Sequence, residues 1–348
     1  MLVLGETRSS AWLAARLSRP LRWLVWIAAA VLVGWTLLAV WYAPLPWPRV
    51  RALAAVAFAA FAAWALWRSR HGWPLLLLAG LLLGWWLAWT TIQPSHDREW
   101  RPEVAVMPRI RIEGDRILVS GYRNFEYRSV DDFTVRHEDR ELSLSKLVAM
   151  DFYVSYWRKG PVAHTFVSFI FEDADPLAIS IETRPEAGED FAPVASLFKR
   201  FELIYVAGDE RDLAQVRSNH RGEQVFLYKT NLSTDAVRRL FLVYAERINE
   251  LADRPEFYHL LRNSCTVNIV RYANRIGRTG LLDIRHLLNG WSDRYLYRTG
   301  FVDTSLPFAE LRARSHINAA AAAAADDPAF PARIREGRPT PRAYVPAD

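Results

Sequence analysis

Three long uncharged stretches fill most of the first 95 residues, and they leave that part of the chain few ways to fold. Trp23 to Pro48 is long enough to cross a bilayer, with the crossing ending near Tyr42, and Trp73 to Gln93 is ample; Ala52 to Trp67 sits at the lower edge of a span. A cleaved leader shows one short apolar region and a small-residue cleavage site. Three successive stretches instead predict retained transmembrane helices. Thirteen of the 15 tryptophans lie in residues 1–100, and Trp41, Trp47, Trp67 and Trp73 fall at stretch ends, where an aromatic belt would sit.

Charge orients this part. Arg8, Arg16, Arg19 and Arg22 precede the first stretch, Arg68 and Arg70 follow the second, and only Arg49 and Arg51 lie between. Six arginines against two place the N-terminus and the second loop in the cytoplasm. Three crossings then put residues 96–348 in the periplasm of a Gram-negative cell. The first 95 residues hold eight arginines and one acid, Glu6, leaving 36 basic and 37 acidic residues of the chain's 44 and 38 for the rest. The high isoelectric point therefore belongs to the membrane part, and the charge totals give no footprint for nucleic acid.

Beyond a polar linker at His96 to Arg101, the chain reads as α+β. Residues 108–135 alternate in strand fashion, with Arg109 to Glu113 and Arg116 to Val119 on either side of a Gly114-Asp115 turn, a hairpin. A second strand pair is expected at Ala163–Phe171 and Ala178–Arg184, with further strands at Phe201–Ala207 and Gln224–Tyr228. Asp209–Arg217 reads as a short helix or turn. Thr234–Leu251 reads as an amphipathic helix capped by Ser233 or Thr234, burying Val237, Leu240, Phe241, Tyr244 and Ile248. Residues 319–348 run through seven alanines into a Pro- and Arg-rich end, expected to be a short helix followed by disorder. The division is thus 1–95, 96–318 and 319–348.

Cys265 is the only cysteine. Asn263 and Ser264 before it are cap-type residues, while Val267, Val270, Ala273 and Ile276 recur every third residue and Gly277 stops the run. The thiol therefore falls at a helix N-terminus, where unpaired N–H groups and the dipole favour an anion and lower a thiol's pKa. That is the setting of a thiol nucleophile; a small buried hydrophobe is the alternative. An idle exposed thiol in an oxidising compartment is a liability, which favours a use, whereas a buried thiol escapes that argument. His164, in an apolar strand, is the candidate base. Glu182, sharing a strand face with Ser180 and Arg184, is the candidate to orient the imidazole, against an ordinary Glu–Arg pair. Tyr156 and Trp157 are candidates to line the cleft. Arg217 and Arg221 form a candidate pair for a phosphate or carboxylate, the plainer reading being an ion-pair network around Asp209, Glu210 and Asp212. No metal-ligand spacing and no phosphate loop is visible, so no metal or cofactor is expected.

Several of these stretches recur, in this order, in one family. They are Asn124-Phe125 with Tyr127-Arg128, His164 to Phe169, Ser180 to Arg184, Glu202 to Val206, Asp209 to Asp212, Arg217 with Asn219 and Arg221, and Asn263 to Asn268. Roughly residues 96–310 resemble the Lnb N-terminal periplasmic domain family. Named members resemble lipoprotein N-acyltransferases with a catalytic thiol. The order of histidine first, then cysteine on a helix, also resembles the permuted papain-like NlpC and lecithin-retinol acyltransferase groups. By that resemblance Cys265 is nucleophile, His164 base and Glu182 orienter, in a permuted papain-like domain with an antiparallel sheet. Tyr156, Trp157, Asn263, Arg217 and Arg221 would bind substrate. The expected function is a membrane-anchored periplasmic cysteine acyltransferase or amidase. It would act on a membrane lipid or lipoprotein at the inner membrane, with a non-catalytic envelope assembly or binding module as the alternative. For the topology, an alkaline phosphatase fused after residue 95 is expected to be active; an inactive but well-expressed fusion would reverse the orientation.

Overall fold

The computed structural model describes residues 19–44, 47–69, 72–277 and 283–341. Arg8 and Arg16, half of the N-terminal charge used to orient the chain, lie outside them. Two units form. One comprises the N-terminal residues through Pro94 together with Ala192–Arg200; the other comprises Ser95–Phe191 and the chain from Phe201 onward.

In the first unit α1 (Arg19–Tyr42), α2 (Pro48–Trp67) and α3 (Trp73–Thr91) are each long and apolar enough to cross a membrane. The second helix is longer than the uncharged stretch predicted. Pro48 occupies its first turn, where a missing N–H costs nothing, so Arg49 and Arg51 are helical. Ala192–Arg200 joins this unit through the helix ends. Lys199 Nζ donates to the carbonyl oxygens of Trp89 (2.8 Å) and Ile92 (2.9 Å). Arg200 and Arg51 both donate to Ala43 O, at 3.3 and 3.1 Å. These carbonyls lie at or just past helix C-termini, where cations suit them. Phe198 is buried among Trp35, Tyr42 and Trp89. One segment thus closes the C-terminal ends of α1 and α3, which lie on the same side.

The second unit is α+β around one sheet. Its strands are β1 (Arg109–Glu113), β2 (Arg116–Arg123), β5 (His137–Ser143), β6 (Leu147–Tyr156), β7 (His164–Phe171), β8 (Leu177–Arg184), β9 (Glu202–Gly208) and β10 (Gln224–Lys229). β3 (Glu126–Tyr127) and β4 (Phe133–Thr134) pair separately. The order is β1-β2-β9-β8-β7-β6-β10, with β5 also on β2. Pairing is antiparallel except at β2–β9, where Arg123 meets Gly208. The Gly114-Asp115 hairpin appears as expected, with Gly114 at φ 64°. β5 and β6 were not foreseen. β6 is buried over nearly its whole length, so its sequence lacks the alternation that marks a half-exposed strand.

One sheet face packs on α5 (Thr234–Asp253), capped by Ser233, and α6 (Cys265–Arg275). Phe169 there meets Phe241 and Tyr244 edge-on. The other face carries Tyr153 stacked on Phe166 at 4.4 Å. α7 (Ile284–Leu287), α8 (Ser292–Arg298) and α9 (Phe308–Ser315) follow, then α10 (Asn318–Ala323) and α11 (Phe330–Arg333).

α10 is the short helix expected at the alanines, while α11 and the residues packed with it, described through residue 341, stand where disorder was expected. Ile317, Ala321, Ala324, Phe330 and Ile334 are buried with Tyr153, Phe166 and Val225. Arg335 is held by Asp151 (2.8 Å) and Glu210 (2.5 Å). Ile317 N donates to Val225 O and Asn318 Oδ1 accepts from Val225 N, which covers the β10 edge. Composition misled here because alanine and proline pack well when a few large apolar residues are spaced among them. The expected linker at 96–101 is also bound in place. His96 Nε2 contacts Leu251 O at 2.8 Å, Trp100 Nε1 donates to His96 O, and Arg98 pairs with Glu186 and Glu202.

Phe330→Ala removes a fully buried ring from this cluster. It is expected to destabilise the second unit by about 3–5 kcal/mol, read as an earlier unfolding transition of the full chain; an unchanged transition would return the tail to a dispensable appendage.

Candidate functional site

The site forms where the start of β7, the start of α6 and the turn before α8 converge. Cys265 is the first residue of α6, with Ser264 as N-cap. The face that α6 buries runs through Cys265, Ile269 and Tyr272. The expected stripe of Val267, Val270, Ala273 and Ile276 is half-buried instead. A strict three-residue repeat drifts around a helix of 3.6 residues per turn, so it cannot track one face. Thr266 Oγ1 bonds to Thr165 Oγ1 at 2.8 Å and fixes the helix start against β7.

The thiol is 2 % exposed. Burial alone would push it up, but the bond and charge of His164, then the Thr165 N–H, bring it down to about 6. Asn289 Nδ2 donates to Sγ at 3.5 Å, while its Oδ1 accepts from Ala163 N at 2.8 Å. This side chain bridges the residue before β7 and the thiol. Its turn is tightly seated. Gly290 N donates to Pro161 O (2.9 Å), Tyr156 Oη donates to Gly290 O (2.5 Å) and Ser292 Oγ to Asn289 O (2.5 Å). A Cβ at Gly290 would lie 2.7 Å from the Pro161 carbonyl carbon, so only glycine fits. Tyr258, buried, interacts with the backbone N–H and side chain of Cys265; burial and then the thiolate's charge push its phenol well above the usual range.

Behind His164 runs a polar chain. The β7–β8 register pairs Phe166 with Ser180 and, two residues on, sets His164 against Glu182. His164 Nε2 bonds directly to Ser180 Oγ at 2.7 Å, whereas Glu182 Oε1 is 3.9 Å away. Ser180 also bonds Glu182, and Arg217 Nη2 donates to Glu182 Oε1 at 2.7 Å. Burial raises the Glu182 carboxyl, but Arg217 and then His164 outweigh it and hold the group well below the usual range. With the carboxylate accepting the Ser180 hydroxyl, Ser180 accepts from Nε2–H, which leaves His164 Nδ1 for the thiol. Arg217 is buried over the Phe166 ring and donates to Leu213 O.

Of the residues expected from sequence, Cys265, His164, Glu182 and Arg217 come together. Arg221 stands at their edge, 34 % exposed in its side chain and 4.0 Å from Glu223; burial and then Arg217 lower its pKa. Tyr156 is buried and acts on the Asn289 turn rather than on an open cleft. Trp157 is exposed against Phe191. Asn263 donates to Glu256 and Phe257 O and accepts from Asn268, bracing the loop before the thiol. The Asp209–Asp212 cluster is structural: Asp209 caps Arg211 N, Glu210 holds Arg335 and Asp212 pairs bidentately with Arg123. Ser180, Tyr258 and Asn289 were given no role. Ser180 was legible as a strand-face neighbour of Glu182, but Asn289-Gly290 reads as an ordinary turn signal.

Cys265 being the only thiol, its ultraviolet thiolate absorbance can be titrated without ambiguity. The midpoint is expected near pH 6. Because the folded value is depressed, the shift stabilises the fold above a free thiol's pKa, and that contribution is lost as pH falls through about 6. His164→Ala should move the midpoint up, since burial is then opposed mainly by Thr165; an unmoved midpoint would remove His164 from the thiol's environment.

No curated protein and no solved structure matches the chain. One family model does, over residues 133–290. That span takes in every residue of the thiol site, including Asn289, and leaves out Asn124 to Arg128. A periplasmic domain joined to three helices of membrane-spanning length fits an inner-membrane protein. Over residues 133–290 the chain matches the model of the Lnb N-terminal periplasmic domain family.

Proposed function

We propose that this protein is a membrane-anchored periplasmic cysteine acyltransferase or amidase, with the cytoplasmic N-terminus that the arginine asymmetry favours. The observation that carries the reading is a sole thiol at a helix start, lowered to about 6 despite burial and paired with an imidazole that Ser180 orients. The thiolate attacks an ester or amide carbonyl carbon, and the carbonyl electrons move to oxygen. The Cys265 N–H at the helix start, Asn289 Nδ2 and the Tyr258 hydroxyl are the donors available to that oxyanion. Collapse expels the leaving group, which takes a proton from the His164 imidazolium, and a thioester remains. An amine or water then attacks, gives its proton to His164, and frees the thiol. Glu182 keeps its charge and stabilises the imidazolium through Ser180, while Arg217 keeps Glu182 ionised.

Three membrane-length helices suit a lipid or lipoprotein substrate, with Arg221 available at the rim for a phosphate or carboxylate. The permuted papain-like reading agrees with histidine on a strand preceding cysteine on a helix. One observation favours the non-catalytic alternative: at 2 % exposure the thiol needs a neighbour to move before a substrate reaches it.

Acyl transfer or lipoprotein release in membranes separates the two. Cys265→Ser is expected to abolish activity with folding intact, since a hydroxyl is far less acidic than a thiol. His164→Ala should lose about 10²-fold or more, and Ser180→Ala more than Glu182→Gln if the direct bond to the ring matters most. Near-normal activity in Cys265→Ser would sink the nucleophile and leave the binding-module reading.

A further inference from the structure

Beside α6 lies a cavity of about 70 Å³. Val270, Ala273 and Ile276, the half-buried stripe of α6, form one wall, and Phe152, Leu240 and Phe301 are among the residues opposite. A water needs roughly 10–15 Å³ on this scale, so there is room for about five water-sized groups. Most hydroxyls at the wall are already used: Thr266 bonds Thr165, Thr230 bonds Met150 O and Ser292 bonds Asn289 O.

His286 differs. It is 2 % exposed, packed edge-on to Tyr295 at 4.4 Å, and lines the same cavity. Asp283 N donates to its Nδ1 at 3.2 Å, so Nδ1 is an acceptor and the proton sits on Nε2. Nε2 has no hydrogen-bond partner among the described residues. Burial lowers the ring's pKa, Asp283 opposing, which keeps it neutral. A buried N–H without an acceptor is costly in an apolar wall.

We infer that this cavity is a binding site for a small apolar group of about five heavy atoms carrying one acceptor oxygen, which His286 Nε2–H recognises. An alcohol, ketone or ester oxygen has the required chemistry. Such a group has two sources: part of the molecule processed at Cys265, or a separate effector. Thr266 connects the two places, since it lines the cavity and its Oγ1 lies 3.8 Å from Sγ.

The probes are butanone and n-pentane, equal in heavy-atom count, titrated into the full-length protein in nanodiscs. The ring-nitrogen signal of His286 is followed in histidine-labelled protein. Butanone is expected to shift it saturably at millimolar concentration. His286→Phe should weaken butanone about three- to tenfold, the worth of one neutral hydrogen bond, measured by ligand-observed NMR, while leaving n-pentane no weaker. Should His286→Phe fail to fold, Ala273→Leu fills the cavity from α6 and should weaken both probes. No saturable shift, a bound water that butanone does not displace, or equal weakening of both probes by His286→Phe would overturn the site. Competition between butanone and an activated ester for acylation of Cys265 would identify part of the substrate. An altered thiol alkylation rate without competition would identify an effector.

Discussion

A thiolate almost wholly removed from water has to be compensated within a few ångströms, and much of the second unit can be read as that compensation. Burial works against the charge. The helix start supplies oriented N–H groups, Thr165 adds another, and His164 adds a cation when protonated. The cation needs its own support, which the Ser180–Glu182–Arg217 chain provides. Arg217 in turn is seated on Phe166, in the cluster that the last helices close. A continuous run of packed and charged side chains thus links the last helices to the thiol.

The parts of this arrangement that were legible in the sequence share a property: each is a local pattern. The Gly114-Asp115 hairpin, the Ser233-capped helix and the helix start at Cys265 are fixed by residues a few positions apart. The nearness of His164 and Glu182 could be expected because strand alternation and the pairing of neighbouring strands are short-range facts. What stayed hidden depended on distant segments. Asn289 reaches the thiol only because Gly290 lets its turn pack against Pro161, a contact 129 positions apart in sequence. Ser180 displaces Glu182 as the direct partner of the ring by 1.2 Å, a difference no pattern encodes. β6 was missed for the opposite reason: burial on both faces erased its alternation.

The charged cluster around Asp209 shows how far a motif can stand from chemistry while still serving it. Its carboxylates are spent on Arg123, on Arg335 and on a backbone cap. Asp212 also accepts from Phe125 N, which ties the β2–β3 connection to the same point. Buried pairs of this kind are weak stabilisers against an apolar alternative but costly to break singly. They fix where the segment from Glu210 to His220 runs, and Arg217 lies on that segment.

The excursion of Ala192–Arg200 into the membrane unit has a consequence for how the protein can be handled. The polypeptide passes between the two units three times, after Pro94, after Phe191 and after Arg200. A soluble fragment that begins at Ser95 therefore does not correspond to a structural unit. It keeps a hook bearing Leu197 and Phe198, whose aromatic seat stays behind with the helices, and it keeps Lys199 and Arg200 without the helix-end carbonyls they serve. Such a fragment carries an adhesive apolar loop. Isolating the periplasmic part in a well-behaved form calls for replacing residues 192–200 by a short polar bridge, not only for removing the helices.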